Sequence, residues 1–282
     1  MNQAEQAQRF RALHEAGELF VIPNVWDGGS AAVMAGLGFR ALATSSSACA
    51  AALGRFDGQI TREEALAHAR LLSALSPLPV AADLENGFGH APETVAETIR
   101  LAAQAGLVGG SIEDASGDPG TPIYDFGQAV ERVTAAVEAA RRLPFPFTLT
   151  ARAENFLHER ADLEDTVRRL QAFERAGADV LFAPGLPDLA AVRTVCAALK
   201  RPVNFMVGIR GKSFSVAELA AAGVRRVSLS TSLYRAAMAG LYAAGWEVQH
   251  GGTFAYLEAA LSGDQLGGYL QQLQPTAPPT RG

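Results

Sequence analysis

The chain has 282 residues, 49% of them hydrophobic and 19% charged, enough to bury one large core in a single domain. Its formal net charge of −5, with no basic cluster, argues against a nucleic-acid partner, and no apolar run reaches the ~18 residues a membrane span needs. The start, Met1-Asn2-Gln3-Ala4-Glu5-Gln6, lacks the apolar core of a signal peptide, and Cys49 and Cys196 form no metal or redox spacing, so a reduced, cytoplasmic enzyme is expected.

Taken in order, short apolar runs alternate with longer amphipathic ones. Strands are expected at residues 19–23, 41–44, 80–83, 108–113, 147–152, 180–183, 203–207 and 227–229. Helices are expected at 29–36, 62–75, 91–105, 126–141, 163–176, 188–199 and 215–222. Ala105-Gly106, Ala176-Gly177 and Ala222-Gly223 look like helix ends, where a glycine turns the chain into the next strand. Strand–helix units repeated in this way predict a (β/α)8 TIM-type barrel. An open doubly wound sheet is the alternative, but no G-x-G-x-x-G follows the first strand. The barrel is expected to be the catalytic domain over residues 1–245, with a C-terminal helical extension and a disordered tail over 246–282.

The third strand runs into Asp83-Leu84-Glu85-Asn86-Gly87-Phe88-Gly89-His90. In extended chain, positions i and i+2 share a side, so Asp83 and Glu85 are expected together at the strand end. Two such anions repel unless a cation lies between them, and Mg²⁺ is the usual answer; a solvated strand end is the plainer alternative. In a barrel the chemistry sits at the C-terminal strand ends. Those ends offer Thr44, Ser45, Ser46 and Ser47, then Asp83 and Glu85, then Glu113 and Asp114, then Arg152 and Glu154, with Asp57 on a nearby loop. Carboxylates, one arginine and a patch of hydroxyls at one mouth suit a divalent metal and an anionic substrate. Taken singly, Arg152 could serve only to pair with Glu154 or Glu113, and the serines could form only a small-residue turn.

The chain resembles the isocitrate lyase / phosphoenolpyruvate mutase superfamily from about Ile22 to about Tyr242. The carriers are Pro23-Asn24-Val25-Trp26-Asp27, Thr44-Ser45-Ser46-Ser47 with Leu53-Gly54-Arg55-Phe56-Asp57, Asp83-Leu84-Glu85-Asn86-Gly87-Phe88-Gly89, Ile112-Glu113-Asp114 and Ala151-Arg152-Ala153-Glu154. The resemblance implies Mg²⁺, or Mn²⁺ in its place, held largely through water by Asp57, Asp83, Glu85 and Glu113 and chelating a 2-oxo acid or its enolate. It implies a substrate carboxylate held at Thr44, Ser45, Ser46 and Ser47. It implies Arg152 and Asp57 as catalytic residues, with Arg152 polarising the oxo or enolate oxygen. It also implies a homo-oligomer, a dimer of dimers in which paired subunits exchange the last barrel helix, and residues 230–245 are apolar enough for that.

The departures narrow the expectation. The lyase branch carries a K-K-R-C-G-H loop after the fourth strand; here the loop reads Ala115-Ser116-Gly117-Asp118-Pro119-Gly120-Thr121-Pro122-Ile123-Tyr124-Asp125, with no Cys, Lys or His. The asparagine-containing lid of the mutase branch is absent, and Phe182-Ala183-Pro184-Gly185 lacks the glutamate that lyases place after strand six. Cys49 reads as a buried, inert thiol. Asn204, Arg210 and Lys212 are candidates for binding a distal carboxylate, and Tyr124 and His90 for donating a proton. The expected function is C–C cleavage or decarboxylation of a 2-oxo acid, an oxaloacetate- or 2-oxoglutarate-like dicarboxylate or a related 2-hydroxy acid, through a metal-stabilised enolate. The alternatives are P–C bond chemistry on phosphonopyruvate, a catalytically silent 2-oxo acid-binding barrel, and a phosphate-binding barrel using Gly208, Gly211 and Ser230-Thr231-Ser232.

Overall fold

Eight short apolar segments, each followed by a helix, form strands buried on both faces: β1 (Phe20–Ile22), β2 (Leu42–Ala43), β3 (Val80–Asp83), β4 (Gly109–Glu113), β5 (Thr148–Arg152), β6 (Val180–Phe182), β7 (Val203–Met206) and β8 (Arg226–Ser228). The computed structural model describes residues 2–273, so the tail expected to be disordered, from Gln274 on, lies outside the described residues. All neighbouring strands are parallel, in the order β1-β8-β7-β6-β5-β4-β3-β2. The seam between β1 and β2 is joined one step beyond β1, where Ala43 N–H donates to the Pro23 carbonyl at 2.9 Å and Val25 N–H to the Ala43 carbonyl at 2.8 Å. The chain is therefore a (β/α)8 barrel and not an open sheet, with strands on the runs where the sequence places them.

The outer layer comprises α2 (Gly28–Gly36), α4 (Arg62–Leu75), α5 (Pro92–Gln104), α6 (Phe126–Arg141), α7 (Leu163–Ala176), α8 (Leu189–Ala197) and α9 (Val216–Ala221). Two further helices have no strong apolar periodicity. The first, α1 (Gln3–Glu15), begins at a reciprocal cap in which Asn2 accepts from Glu5 N–H and the Glu5 carboxylate from Asn2 N–H. It lays Ala7, Phe10 and His14 across the N-terminal end of the barrel. Gly109 makes room for it, since a Cβ there would stand 2.8 Å from the Phe10 ring and 2.8 Å from the Thr148 carbonyl. The second, α3 (Ser46–Ala52), consists of serines, alanines and Cys49, so no polar face contrasts with an apolar one.

Above this floor the barrel interior is polar. Arg226 donates to Asn204 Oδ1 at 2.8 Å and to Thr150 Oγ1 at 3.0 Å, and meets His14 Nε2 at 3.3 Å; Asn204 Nδ2 donates to Ser228 Oγ at 3.0 Å. These partners are neutral, and burial pulls the Arg226 guanidinium down to about 9. Burial and the Arg226 charge push His14 down to about 3, so its ring stays neutral.

Beyond β8, α10 (Ser232–Gly251) runs unbroken across the 245/246 boundary expected between barrel and extension and buries none of its side chains. Leu241 is 65% exposed, Tyr242 70% and Trp246 54%. A 3₁₀ turn (Ala255–Glu258) and α11 (Gly263–Gln271) then bring the chain back to α2, where any side chain on Gly36 would collide with the Tyr269 ring. Among the described residues, no helix is long and apolar enough to cross a membrane.

Candidate active site at the barrel mouth

Strand register assembles the C-terminal mouth before any side chain is considered. Glu113, Arg152 and Phe182 are neighbours across β4, β5 and β6, and Asp83 on β3 lies opposite Ser111 on β4. The Arg152 guanidinium holds Asp83 Oδ1 at 3.0 Å, Glu113 Oε2 at 3.0 Å and Glu154 Oε1 at 2.7 Å, and sits 5.2 Å from the Phe182 ring centroid. The pairings with Glu113 and Glu154 offered by the sequence are thus both present, with Asp83 added. Burial works against the Arg152 charge, but Glu113, Glu154 and Asp83 outweigh it and raise its pKa well above the usual value.

Glu85 joins this cluster by a route other than the one expected. The strand ends at Asp83, and Glu85 has φ +48°, so the alternation rule for extended chain does not apply. A left-handed step places it within electrostatic reach of Asp83 and Asp57. Burial, then Asp83, then Asp57 raise its carboxyl to about 7 against the opposing pull of Arg152. Its Oε1 is buried with no hydrogen-bond partner. Burial also lifts Glu113 well above the ordinary range despite the relief that Arg152 gives, and the carboxylates of Glu154, Asp83 and Glu85 add to the rise. Asp57 lies on the exposed loop between α3 and α4; desolvation at its carboxyl and the Asp83 charge raise it, while the Ser46 hydroxyl and Gly58 N–H hold it back.

The hydroxyl patch is not a turn. Ser45 caps α3, its Oγ accepting from Ala48 N–H at 3.3 Å. Asp83 Oδ2 accepts from Ser46 N–H at 3.2 Å and Ser46 Oγ at 3.0 Å, and Asp83 N–H donates to Thr44 Oγ1 at 3.1 Å. Thr44 and Ser46 therefore orient Asp83, and Ser47 follows half-buried in the first turn of α3. Thr44, Ser45, Asp83 and Arg152 line one cavity, and Asn204 lines its lower end with its amide engaged by Arg226 and Ser228. Arg210 is not among the residues lining that cavity; it is exposed on the loop after β7, and Lys212 Nζ reaches back to the Gly185 carbonyl at 3.3 Å.

No long lid follows β4. Ser116 N–H donates to the Pro122 carbonyl at 3.0 Å, and Asp118 accepts from Gly120 N–H at 2.9 Å and the Thr121 hydroxyl at 3.0 Å, folding the loop on itself. Burial raises the Cys49 and Cys196 thiols to about 11, which leaves both unreactive. Sequence reasoning passed over Arg132 and Arg226. Arg132 was visible as a charge on the buried α6 stripe of Ala129, Val133 and Ala136, and Arg226 as the second of two adjacent arginines between Val224 and Val227.

The donor set at the mouth can be tested against a divalent ion. Among the described residues, no group of three His, Cys, Asp or Glu side chains converges to ligate one ion directly. The set does suit a hydrated hard cation: it is all carboxylate, it outnumbers its single guanidinium, and one buried oxygen, Glu85 Oε1, lacks a partner.

Known proteins are similar to this chain along most of its length. Residues 10–248 match the family model for phosphoenolpyruvate phosphomutase. A crystal structure of a Burkholderia cenocepacia J2315 protein, described only as a lyase/mutase, superposes with a TM-score of 0.92 at 53% identity, covering 95% of this chain and 96% of that one. A 2-methylisocitrate lyase from Salmonella typhimurium is 31% identical over 209 residues, 71% of this chain and 70% of its own. An oxaloacetate decarboxylase from Ectopseudomonas mendocina is 29% identical over 245 residues, 84% of this chain and 82% of its own.

Proposed function

The chain belongs to the phosphoenolpyruvate phosphomutase family, within the isocitrate lyase / phosphoenolpyruvate mutase superfamily of lyases and mutases, and from that premise we propose a divalent-metal-dependent carbon–carbon lyase or decarboxylase acting on a 2-oxo dicarboxylate of the oxaloacetate class. The observation that carries this reading is the surplus of carboxylate around Arg152, with the Glu85 oxygen left buried and unpartnered. Asp57, Asp83, Glu85 and Glu113 would hold Mg²⁺, or Mn²⁺, largely through water. When bound, the ion supplies positive charge to the carboxylate and oxo oxygens of a 2-oxo acid.

The chain's own residues do the rest. Arg152 places a fixed cation in the cavity, and its three carboxylate partners hold it in one orientation. As the bond from C3 to the departing carboxyl breaks, CO₂ leaves, the bonding pair becomes the C2–C3 double bond and the carbonyl π pair moves onto the 2-oxo oxygen; Arg152 meets that charge without reorganising. Thr44, Ser45, Ser46 and Ser47 would take the substrate's C1 carboxylate, a reading supported by Thr44 and Ser45 lining the cavity and by the hold of Thr44 and Ser46 on Asp83. C3 takes its proton from solvent, because the self-bonded loop after β4 brings neither cysteine nor histidine.

The uncovered apolar side chains of α10 support exchange of this helix between two copies, and light scattering should give a mass above the 29.6 kDa of one chain. The deciding assay offers oxaloacetate, 2-oxoglutarate, isocitrate, 2-methylisocitrate and phosphonopyruvate with Mg²⁺ or EDTA, followed by product analysis. Oxaloacetate should be turned over best and only with metal. Turnover of either tricarboxylate near about 10⁵ M⁻¹ s⁻¹ in kcat/KM would mean that another residue supplies the proton. Selective turnover of phosphonopyruvate would move the assignment to P–C chemistry, the activity described by the family model.

A further inference from the structure

The turn between β3 and α5 carries Glu85 at φ +48° and Phe88 at φ +60°, two side-chain-bearing residues in the left-handed region, with Gly87 at +85° between them. Side-chain-bearing residues are strained in this region, so the surrounding structure must impose the shape. Its carbonyls show how. Leu84 O accepts from Gly87 N–H at 2.8 Å, Glu85 O from Glu113 N–H at 3.0 Å and Gly87 O from the Thr98 hydroxyl at 2.8 Å. The carbonyls of Asn86, Gly89 and His90 all go to one side chain, Arg132 of α6: Nη1 donates to Gly89 at 2.7 Å and to His90, and Nη2 donates to Asn86.

Arg132 is 1% exposed, and its guanidinium stacks over the Tyr124 ring at 4.2 Å. The Tyr124 hydroxyl in turn meets His90 Nδ1 at 2.8 Å and Asn86 Nδ2 at 3.3 Å, so ring and guanidinium tie the same two ends of the turn. A buried arginine that spends its charge on backbone carbonyls is costly to keep. The planar guanidinium reaches these carbonyls from two nitrogens in a fixed geometry, which the compact point charge of a lysine ammonium does not reproduce.

We propose that Arg132 is a positioning residue for the candidate site: through the Asn86, Gly89 and His90 carbonyls it fixes the left-handed backbone that presents Glu85 to Asp83 and Asp57, and so sets the affinity of the mouth for a divalent cation. The inference rests on the metal reading above, and its test separates the two. Arg132→Met and Arg132→Lys are compared with the wild type by hydrogen exchange without metal. Protection at Gly87 and Phe88 should fall while that of β5 holds; unchanged exchange in the turn overturns the proposal. Mn²⁺ binding, followed by electron paramagnetic resonance, should weaken about 10–100-fold, whereas Arg141→Lys, which alters another α6 arginine paired with Asp179, should leave it unchanged. Unaltered Mn²⁺ affinity in a variant whose turn has loosened also overturns it. If Arg132→Met fails to fold, Arg132→Lys carries both measurements. If the wild type binds no Mn²⁺, the metal reading fails, and the exchange experiment alone decides whether Arg132 positions the turn.

Discussion

The two ends of the barrel each bury an arginine, and they treat it in opposite ways. At the mouth, Arg152 is surrounded by Asp83, Glu113 and Glu154, with Glu85 and Asp57 nearby, so negative charge is in excess. At the floor, Arg226 is bonded to Asn204, Thr150 and a neutral His14. The floor arginine is hydrogen-bonded to neutral partners, whereas the mouth leaves an oxygen unpartnered and several carboxyls reluctant to ionise. Unresolved charge is characteristic of a site that expects a ligand, and satisfied charge of a scaffold.

Substitutions at the two ends should therefore separate activity from stability. Asp83→Ala should cut metal-dependent turnover by at least about 10²-fold, while its unfolding midpoint in urea stays close to the wild type because removing one acid relieves repulsion among the others. Full turnover in that variant would refute the role assigned to the mouth. Phe10→Ala should do the reverse, costing about 3–5 kcal/mol in urea unfolding with Mn²⁺ affinity unchanged in the folded fraction. If the floor variant also lost the metal, the two ends would be coupled and the contrast drawn here would fail.

The pH response sharpens the same contrast, with opposite signs. Glu85 holds its proton to about 7 in the folded chain, against 4.5 as the ordinary value. The folded state thus binds more protons than the unfolded one between those values, and metal-free stability should fall as pH rises from about 4.5 to about 7. Glu85→Gln should flatten that fall and gain about 1–3 kcal/mol above it; a wild-type curve without the fall, or one identical in the variant, contradicts the electrostatic picture of the mouth. His14 is held down to about 3 from 6.5, so the unfolded chain takes up the proton first. The stability it contributes is complete above 6.5 and should drain as pH falls toward 3, and His14→Gln should remove that loss.

Much of this was legible in the sequence for a physical reason. Parallel strands buried on both faces read as continuous apolar runs, and the barrel places each strand's next polar residue at one mouth, which is why Asp83, Glu113 and Arg152 could be named in advance. What stayed hidden does not depend on periodicity. The position of Glu85 follows from a left-handed backbone that alternation cannot encode, and α3 is too uniformly small to show a face. Asn204 looked like a ligand-binding amide, but its hydrogen bonds go to Arg226 and Ser228 on the neighbouring strand β8, a cross-strand pairing that no local pattern reveals. Arg210 looked equally suited and lies outside the cavity.

The central claim is that the mouth binds a 2-oxo acid through a divalent ion together with Arg152. Calorimetric titration with oxalate, a planar dianion shaped like pyruvate enolate, tests it most directly. Oxalate should bind in the presence of Mg²⁺ and not in EDTA, and the binding with Mg²⁺ should be lost in Arg152→Met. Equal binding with and without metal, or binding that survives Arg152→Met, would contradict the account.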